Sequence, residues 1–173
     1  MSPFDKKTLD FDEKMVPLIG VIEKITDCET VPNAQVAQVK QLPFVSFYPV
    51  VFDDPVFGDA TANDGTFNAT ISLDVFSNEL GQGMQICGDL RSYLLDPYVR
   101  QLLRTNAGIA IQKATPVRSR SVTDLPFHAV HHHGFELTIQ YWRHYTSPID
   151  VINAVEGFFN TTNLQLKCNK RAK

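Results

Sequence analysis

Four of the five histidines in the chain lie within six residues, at His128, His131, His132 and His133. Neutral imidazoles are good ligands for zinc, nickel and copper, so this cluster could support a small metal-binding enzyme or sensor. In a strand, alternate residues share one face, which would place His131 and His133 together. Two ligands do not make a site, and the sequence offers no third. A pH-sensitive contact and ordinary surface or boundary histidines are the alternatives.

Four aspartates, Asp53, Asp54, Asp59 and Asp64, form a second group, within residues 53–66. Carboxylates bind calcium, but DDPVFGDATANDG lacks the every-second-residue ligand spacing and the closing glutamate of an EF-hand. The segment is predicted to be a long loop between two strands, and compact domains seldom keep such a loop without a use for it. It is either a solvated loop or one that serves assembly or faces a channel.

The arginines Arg100, Arg104, Arg118 and Arg120 could form a basic patch that contacts phosphate groups. The sequence pI of about 5.9 argues against general affinity for nucleic acid, and a solvated helix face and loop would explain the same residues. If the chain assembles with other proteins, these arginines and the four aspartates are the residues that we expect at the interfaces.

Patterns of established catalytic sites are missing from the sequence. It contains no GxSxG elbow, no GxxxxGK[ST] phosphate loop, no GxGxxG and no HExxH. Cys28, Cys87 and Cys168 are widely separated, form no CxxC pair and have no histidine close in sequence, so they are expected to be reduced thiols. The residues alone therefore offer no catalytic constellation.

The spacing of apolar residues predicts the elements that position these groups. An amphipathic helix is expected over 12–26, with Pro17 limiting where it can start. Residues 27–40 show no clear period and are predicted to be a connecting loop. Residues 41–52 are predicted to form a strand that its prolines confine to an edge or a bulge.

The clearest pattern is the alternation over 67–76, which predicts a half-buried strand with one wet face. Two helices are expected next, the first ending at Asp96. The second would be capped by Asp96, begin at Pro97 and end at Gly108.

The last third of the chain is predicted to begin with a strand over 109–118 and a turn-rich loop over 119–126. The final long strand should run to Tyr145, with a break or bulge at Gly134 because a strand starting at residue 127 would be too long. A short helix is expected over 149–158.

Strands joined mainly as hairpins, with helices between them, predict an α+β fold in which a single mostly antiparallel sheet packs against helices. The 173 residues fit one domain, with a short flexible N-terminal segment (about 1–10) and a basic C-terminal tail (about 164–173). The sequence has no run of about 18 apolar residues and no apolar stretch near its start. We expect a protein that stays in a cytoplasm-like compartment, without membrane contact.

The charge is distributed unevenly along the chain. Residues 1–80 carry 5 basic and 13 acidic side chains, a net charge of −8, whereas residues 81–173 carry 11 and 6, a net charge of +5. Either the two sets interleave in the fold and cancel, or the subunit has unlike faces. Unlike faces suit head-to-tail contacts that close into a ring.

Four segments, taken in order, resemble the neck or tail terminator proteins of long-tailed phages. They are VPNAQVAQVKQLPFVSFYPV (31–50), FNATISLDVFS (67–77), GMQICGDLRSYLLDP (83–97) and HHGFELTIQY (132–141). The matching positions are the polar Asn33 and Gln35, the strand residues Pro43, Phe44 and Tyr48, and the late Gly134, Phe135 and Glu136. Family members often have an arginine before the Gly-Phe pair, where this chain has His132 and His133.

This resemblance implies a structural virion protein that forms a ring, usually of six copies, capping the finished tail tube and joining it to the head connector. The implied partners are other copies, the tail tube protein and the head connector or adaptor proteins, with DNA passing through without sequence-specific binding. The implied location is the virion neck, after assembly in the host cytoplasm. The resemblance also implies a protein that is not an enzyme and uses no cofactor. Rival hypotheses are the metal-binding enzyme or sensor and a small-molecule-binding α+β domain.

Overall fold

The computed structural model describes residues 11–39, 41–56, 64–120 and 130–144. The predicted N-terminal segment, the helix over 149–158 and the basic tail lie outside these residues. In chain order the elements are α1 (Phe11–Thr26), β1 (Thr30–Pro32), a 3₁₀ helix (Asn33–Gln38), β2 (Phe44–Pro55), β3 (Asp64–Ser77), α2 (Leu80–Leu95), α3 (Pro97–Ala107), β4 (Ile109–Ala114), β5 (Arg118–Ser119) and β6 (His131–His144).

The described strands form one sheet in the order β1-β2-β3-β6-β4, and β5 pairs with β6. The β1–β2 pair is parallel, and the other pairs are antiparallel. Consecutive β2 and β3 pair directly, as antiparallel neighbours joined by a short connection do. The predicted α+β fold with a mostly antiparallel sheet is confirmed.

The long pairing of β3 with β6 forms the centre of the sheet. It runs without a register shift from Asp64↔His144 to Ser77↔His131. The expected break or bulge at Gly134 is therefore wrong. A Cβ atom at Gly134 would clash with the Asp74 carboxylate and lie 2.8 Å from the Leu73 carbonyl oxygen. Glycine is needed there because the Asp74 side chain lies against this backbone, not because the strand bends.

One face of the sheet is apolar and is covered by the helices. The alternation predicted over 67–76 is confirmed on this face, where every second residue of β3 is buried. The main contributors to the core are Phe67, Ala69, Ile71, Leu73 and Val75 of β3, Phe135, Leu137 and Ile139 of β6, Leu18 and Ile22 of α1, Cys87, Leu90 and Leu94 of α2, and Leu103 of α3.

The opposite face of β3 is polar, but it is not wet along its whole length. Asn68 and Thr70 are half-buried, whereas Ser72 and Asp74 are 3% and 8% exposed. The prediction of one wet face is wrong for this second half of β3, because the side chain of Arg120, the residue after β5, covers it.

The helix boundaries largely agree with the sequence prediction. Helix α1 ends at Thr26 as expected, but Pro17 lies inside it rather than near its start. The Asp96 side chain accepts a hydrogen bond from the Tyr98 N–H at 2.8 Å, which confirms the predicted N-cap of α3. Gly108, with φ 63°, ends α3 in the left-handed conformation that glycine favours.

Two short strands were missed by the sequence prediction. Residues 27–40, expected to be a connecting loop, contain β1 and the 3₁₀ helix, and β1 places Thr30 opposite Val45. The strand predicted over 109–118 ends at Ala114 and resumes as β5. Strands of two or three residues are too short to show a period, so their pairing depends on contacts distant in sequence.

Candidate assembly surfaces

Residues 48–52, the outer half of β2, form an exposed apolar edge of the sheet. The pairing of β1 with β2 ends at Phe47, and within the described residues no strand lies beside β2 beyond that point on the side away from β3. Tyr48 is 49% exposed, Val50 45% and Val51 46%. Single exposed apolar residues are normal on protein surfaces, but several in one short segment are typical of a contact site.

The backbone of this edge is irregular. The register of β2 against β3 shifts between Pro49 and Val51 and again between Val51 and Asp54. Proline offers no N–H group, and bulges interrupt the regular row of hydrogen-bonding groups along an edge. The prediction that prolines confine the strand to an edge or a bulge is confirmed for the outer half of β2. A partner would contact this edge through side-chain packing rather than by adding a regular strand.

The long loop predicted over 53–66 is wrong in its extent, because both flanking strands continue into it. Strand β2 runs to Pro55, and β3 begins at Asp64. Of the four aspartates, Asp53 and Asp54 are therefore strand residues of β2, Asp64 is the first residue of β3, and Asp59 lies outside the described residues.

Asp53 and Asp54 differ in the environment of their side chains. Asp53 has φ 64°, a left-handed conformation that aspartate tolerates better than most residues. Its carboxylate accepts a hydrogen bond from the Tyr141 hydroxyl at 3.4 Å. Asp54 is exposed and lies opposite Asn68 of β3. Asp54 is therefore the carboxylate better placed to contact another protein.

At the other end of the strand order, β4 is flanked by α3. Arg100 and Arg104 are exposed and lie about one helical turn apart on α3. The Arg100 guanidinium donates a hydrogen bond to the Ile111 carbonyl oxygen of β4 at 2.9 Å. Between the two elements is an open cleft of about 240 Å³, lined by Pro97, Arg100, Gln101, Arg104, Ala110 and Ile111.

The end of β2 just beyond its outer half, at Asp53 and Asp54, and the α3–β4 edge carry unlike charges. The sequence has no lysine or arginine from residue 41 to residue 90, a stretch that includes Asp53 and Asp54. From residue 97 to residue 120 it has no aspartate or glutamate, and the described basic residues there include Arg100, Arg104 and Lys113. Because β2 and β4 are separated by β3 and β6, the unlike charges lie at opposite sides of the sheet.

The four arginines named from the sequence do not form one patch. Arg118 is exposed in β5, whereas Arg120 covers the polar face of β3. The Arg120 guanidinium donates to Asp74 Oδ1 at 2.8 Å and to Ser72 Oγ at 2.5 Å. The Asp74 side chain is 11% exposed and that of Arg120 is 30% exposed. Arg120 thus belongs to an internal ion pair, which separates it from the arginines of α3.

Aromatic rings extend this polar cluster across three strands. His132 Nε2 lies 3.1 Å from Asp74 Oδ1. Phe76 stacks on Phe44 of β2 on one side and on His132 of β6 on the other, with ring centroids 4.8 Å and 4.3 Å apart. Sequence reasoning missed this cluster, because Asp74 sits at a position of polar alternation and its partner Arg120 is 46 residues away. The polar alternation itself offered no sign of burial.

The histidines are divided between the two faces of the sheet. His133 is 1% exposed and belongs to the face that the helices cover, whereas His132 lies beside Asp74 on the other face. His131 is half-buried, and His128 lies outside the described residues. Burial lowers the pKa of His133, and the neighbouring His131 and His132 add to this effect. Within the described ranges, no three histidine, cysteine, aspartate or glutamate side chains are grouped to hold a metal ion.

The two described cysteines are buried and free. Burial raises the pKa of the Cys87 thiol to about 12, and it also raises the pKa of Cys28. The nucleophilic form of cysteine is the thiolate, so a thiol that keeps its proton at neutral pH is a poor nucleophile. Cys28 and Cys87 therefore have the properties of core residues. None of the helices within the described ranges is both long and apolar enough to cross a membrane.

Exposed apolar segments and surfaces of unlike charge are features of proteins that contact other proteins. The family model of the phage neck terminator protein matches residues 14–163. The chain belongs to this family, which confirms the resemblance seen in the sequence. It is a structural protein of the phage neck and thus a component of the virion. No curated protein was found to match the chain.

Proposed function

We propose that this protein forms a ring of six copies in the phage neck, where it caps the finished tail tube and joins it to the head connector. Its partners are neighbouring copies, the tail tube protein and the head connector or adaptor proteins. DNA passes through the channel of the ring without sequence-specific binding. The ring is assembled in the host cytoplasm and catalyses no reaction.

The observation that carries this proposal is the difference between the two sides of the sheet. The family places the protein in the neck, and the outer half of β2 with the adjoining Asp53 and Asp54 differs from the α3–β4 edge in both charge and shape. A subunit with two different contact surfaces associates head to tail, and such contacts close into a ring when the rotation between copies permits.

Passage of DNA is supported by the charge of the chain. The formal net charge is −3, and no basic residue occurs from residue 41 to residue 90. A channel wall built from such a region would repel a polyanion rather than hold it. We therefore expect purified protein to show no measurable preference among DNA sequences in a binding titration.

Joining of heads and tails can be tested with a phage that lacks the gene. Extracts of infected cells should contain separate filled heads and separate tails in electron micrographs. Purified protein added to such an extract should restore joined, infectious particles. Isolated tail tubes incubated with the protein should carry extra density at one end. Joined particles that form equally well without the protein would contradict the proposed function.

A further inference from the structure

We propose that the outer half of β2 of one copy, together with the adjoining Asp54, docks against the α3–β4 edge of a second copy, so that Asp54 faces Arg104. This inference depends on the ring proposed above, and it identifies the two surfaces of each copy that form the contacts of the ring. The occupant of each surface is therefore another copy of the same chain.

The first surface, the outer half of β2, is apolar and open. Tyr48, Val50 and Val51 are each close to half exposed, and the strand that protects the inner half of β2 ends at Phe47. The free energy falls when a partner removes side chains of this kind from water. Because Pro49 and two register shifts interrupt the edge, the partner has to offer a side-chain surface.

The second surface, the α3–β4 edge, offers both a depression and apolar groups. The cleft of about 240 Å³ lies between α3 and β4, with Pro97 at one wall. Beside Pro97, Tyr98 is 74% exposed. An exposed tyrosine next to a cleft is a common anchor in protein interfaces, since it buries a large apolar ring and keeps its hydroxyl available for a hydrogen bond.

Charge decides in favour of a second copy as the occupant. Asp54 is exposed and belongs to the stretch 41–90, which has no basic residue, whereas Arg104 is exposed and belongs to the stretch 97–120, which has no acidic residue. A guanidinium and a carboxylate form charge-assisted hydrogen bonds, which fix the relative orientation of two surfaces. Each copy carries one surface of each kind, so a head-to-tail contact leaves neither unpaired once the ring closes.

The test uses two charge reversals in the full-length protein, Asp54→Lys and Arg104→Glu. Each reversal places like charges together at every contact, so half-assembly should require an at least tenfold higher protein concentration, on the order of the effect of one repulsive pair. An equal mixture of the two variants should assemble again. In an alternating ring, Asp54 meets Arg104 at one contact, and Lys meets Glu at the next, which an even copy number allows.

Matched controls are available in the same chain. Lys24 lies in the last turn of α1, as Arg104 does in α3, so Lys24→Glu has a comparable effect on helix charge without touching either surface. Asp89→Lys reverses an exposed acid on α2 in the same way as Asp54→Lys. Both controls should assemble like the wild type. Thermal unfolding of each variant shows whether it is folded before assembly is compared.

The outcomes separate this contact from the proposed function. Single reversals that assemble like the wild type, or folded variants whose mixture fails to assemble, would overturn the contact and leave the ring intact as a proposal. A wild-type protein that never assembles and does not bind tail tubes would overturn both. Single variants that assemble poorly, together with a mixture that assembles again, would support the head-to-tail pairing of these two surfaces.

Discussion

The two halves of β2 are built from similar residues but have opposite environments. Residues 44–47 are buried, with Val45 fully enclosed, whereas residues 48–52 are exposed although they are equally apolar. The difference lies in their neighbours, because β1 lies beside the inner half only. Apolar character thus shows that a segment needs a partner, while topology decides whether that partner is in the same chain. For the outer half, we propose a partner in another copy.

The largest effect is expected from breaking the inner half. Phe47 is 6% exposed and belongs to the core, so Phe47→Ala should lower the free energy of unfolding by about 3–5 kcal/mol. Thermal or denaturant unfolding measures this change. A loss below about 1 kcal/mol would mean that the inner half is not part of the core.

A smaller loss in the free energy of unfolding is expected where the inner half of β2 meets the polar cluster of Asp74 and Arg120. Asp74 lies opposite Ser46 and pairs with Arg120, whose partial exposure to solvent weakens the pair. Asp74→Ala should therefore cost about 1–3 kcal/mol, because it leaves a partly buried guanidinium and a serine hydroxyl with fewer partners. In a double-mutant cycle with Arg120→Ala, the double variant should lose less than the two single variants together. Strictly additive losses would argue against coupling between the two side chains.

The dependence of stability on pH tests a buried histidine on the other face of β2, β3 and β6, the face that the helices cover. His133 lies opposite Val75, which lies opposite Val45 of the inner half of β2. Burial holds the pKa of His133 below its ordinary value of 6.5, so above that pH the group contributes no pH dependence. As the pH falls below 6.5, the unfolded chain takes up a proton more readily than the folded one, and stability is lost, by at most about 1.4 kcal/mol per pH unit.

The variant His133→Gln should remove this part of the slope while leaving the rest. Unfolding free energies at several pH values between 7 and 5 would measure it. A slope equal to that of the wild type would show that His133 titrates no differently in the folded and unfolded chain.

The smallest effect on stability is expected in the outer half. Val51 is 46% exposed, so Val51→Ser should change the free energy of unfolding by less than about 0.5 kcal/mol. The same substitution should raise the protein concentration needed for assembly, because it removes apolar surface from the proposed contact. Unfolding and light scattering on the same sample would compare the two properties. Weaker folding with unchanged assembly would reverse the roles assigned to the two halves of β2.

Several correct predictions from the sequence concern local structure, and several features that it missed depend on distant contacts. The alternation over 67–76 and the cap at Asp96 depend on neighbouring residues, and both were correct. The pairing of β1 with β2 and the burial of Asp74 beneath Arg120 depend on residues far apart in the chain. Among the described residues that were predicted for assembly, Arg120 forms an internal ion pair, whereas Arg100 and Arg104 of α3 are exposed.

The mass of the wild-type protein in solution, measured by sedimentation at rising concentration, tests the central claim most directly. We predict a particle of about six times the 19.5 kDa of one chain, visible as a ring in electron micrographs. Raising the salt to about 1 M, where the Debye length is about 3 Å, should lower the fraction assembled if the contacts are partly ionic. A mass of 19.5 kDa at every concentration, with no binding to tail tubes, would contradict the ring.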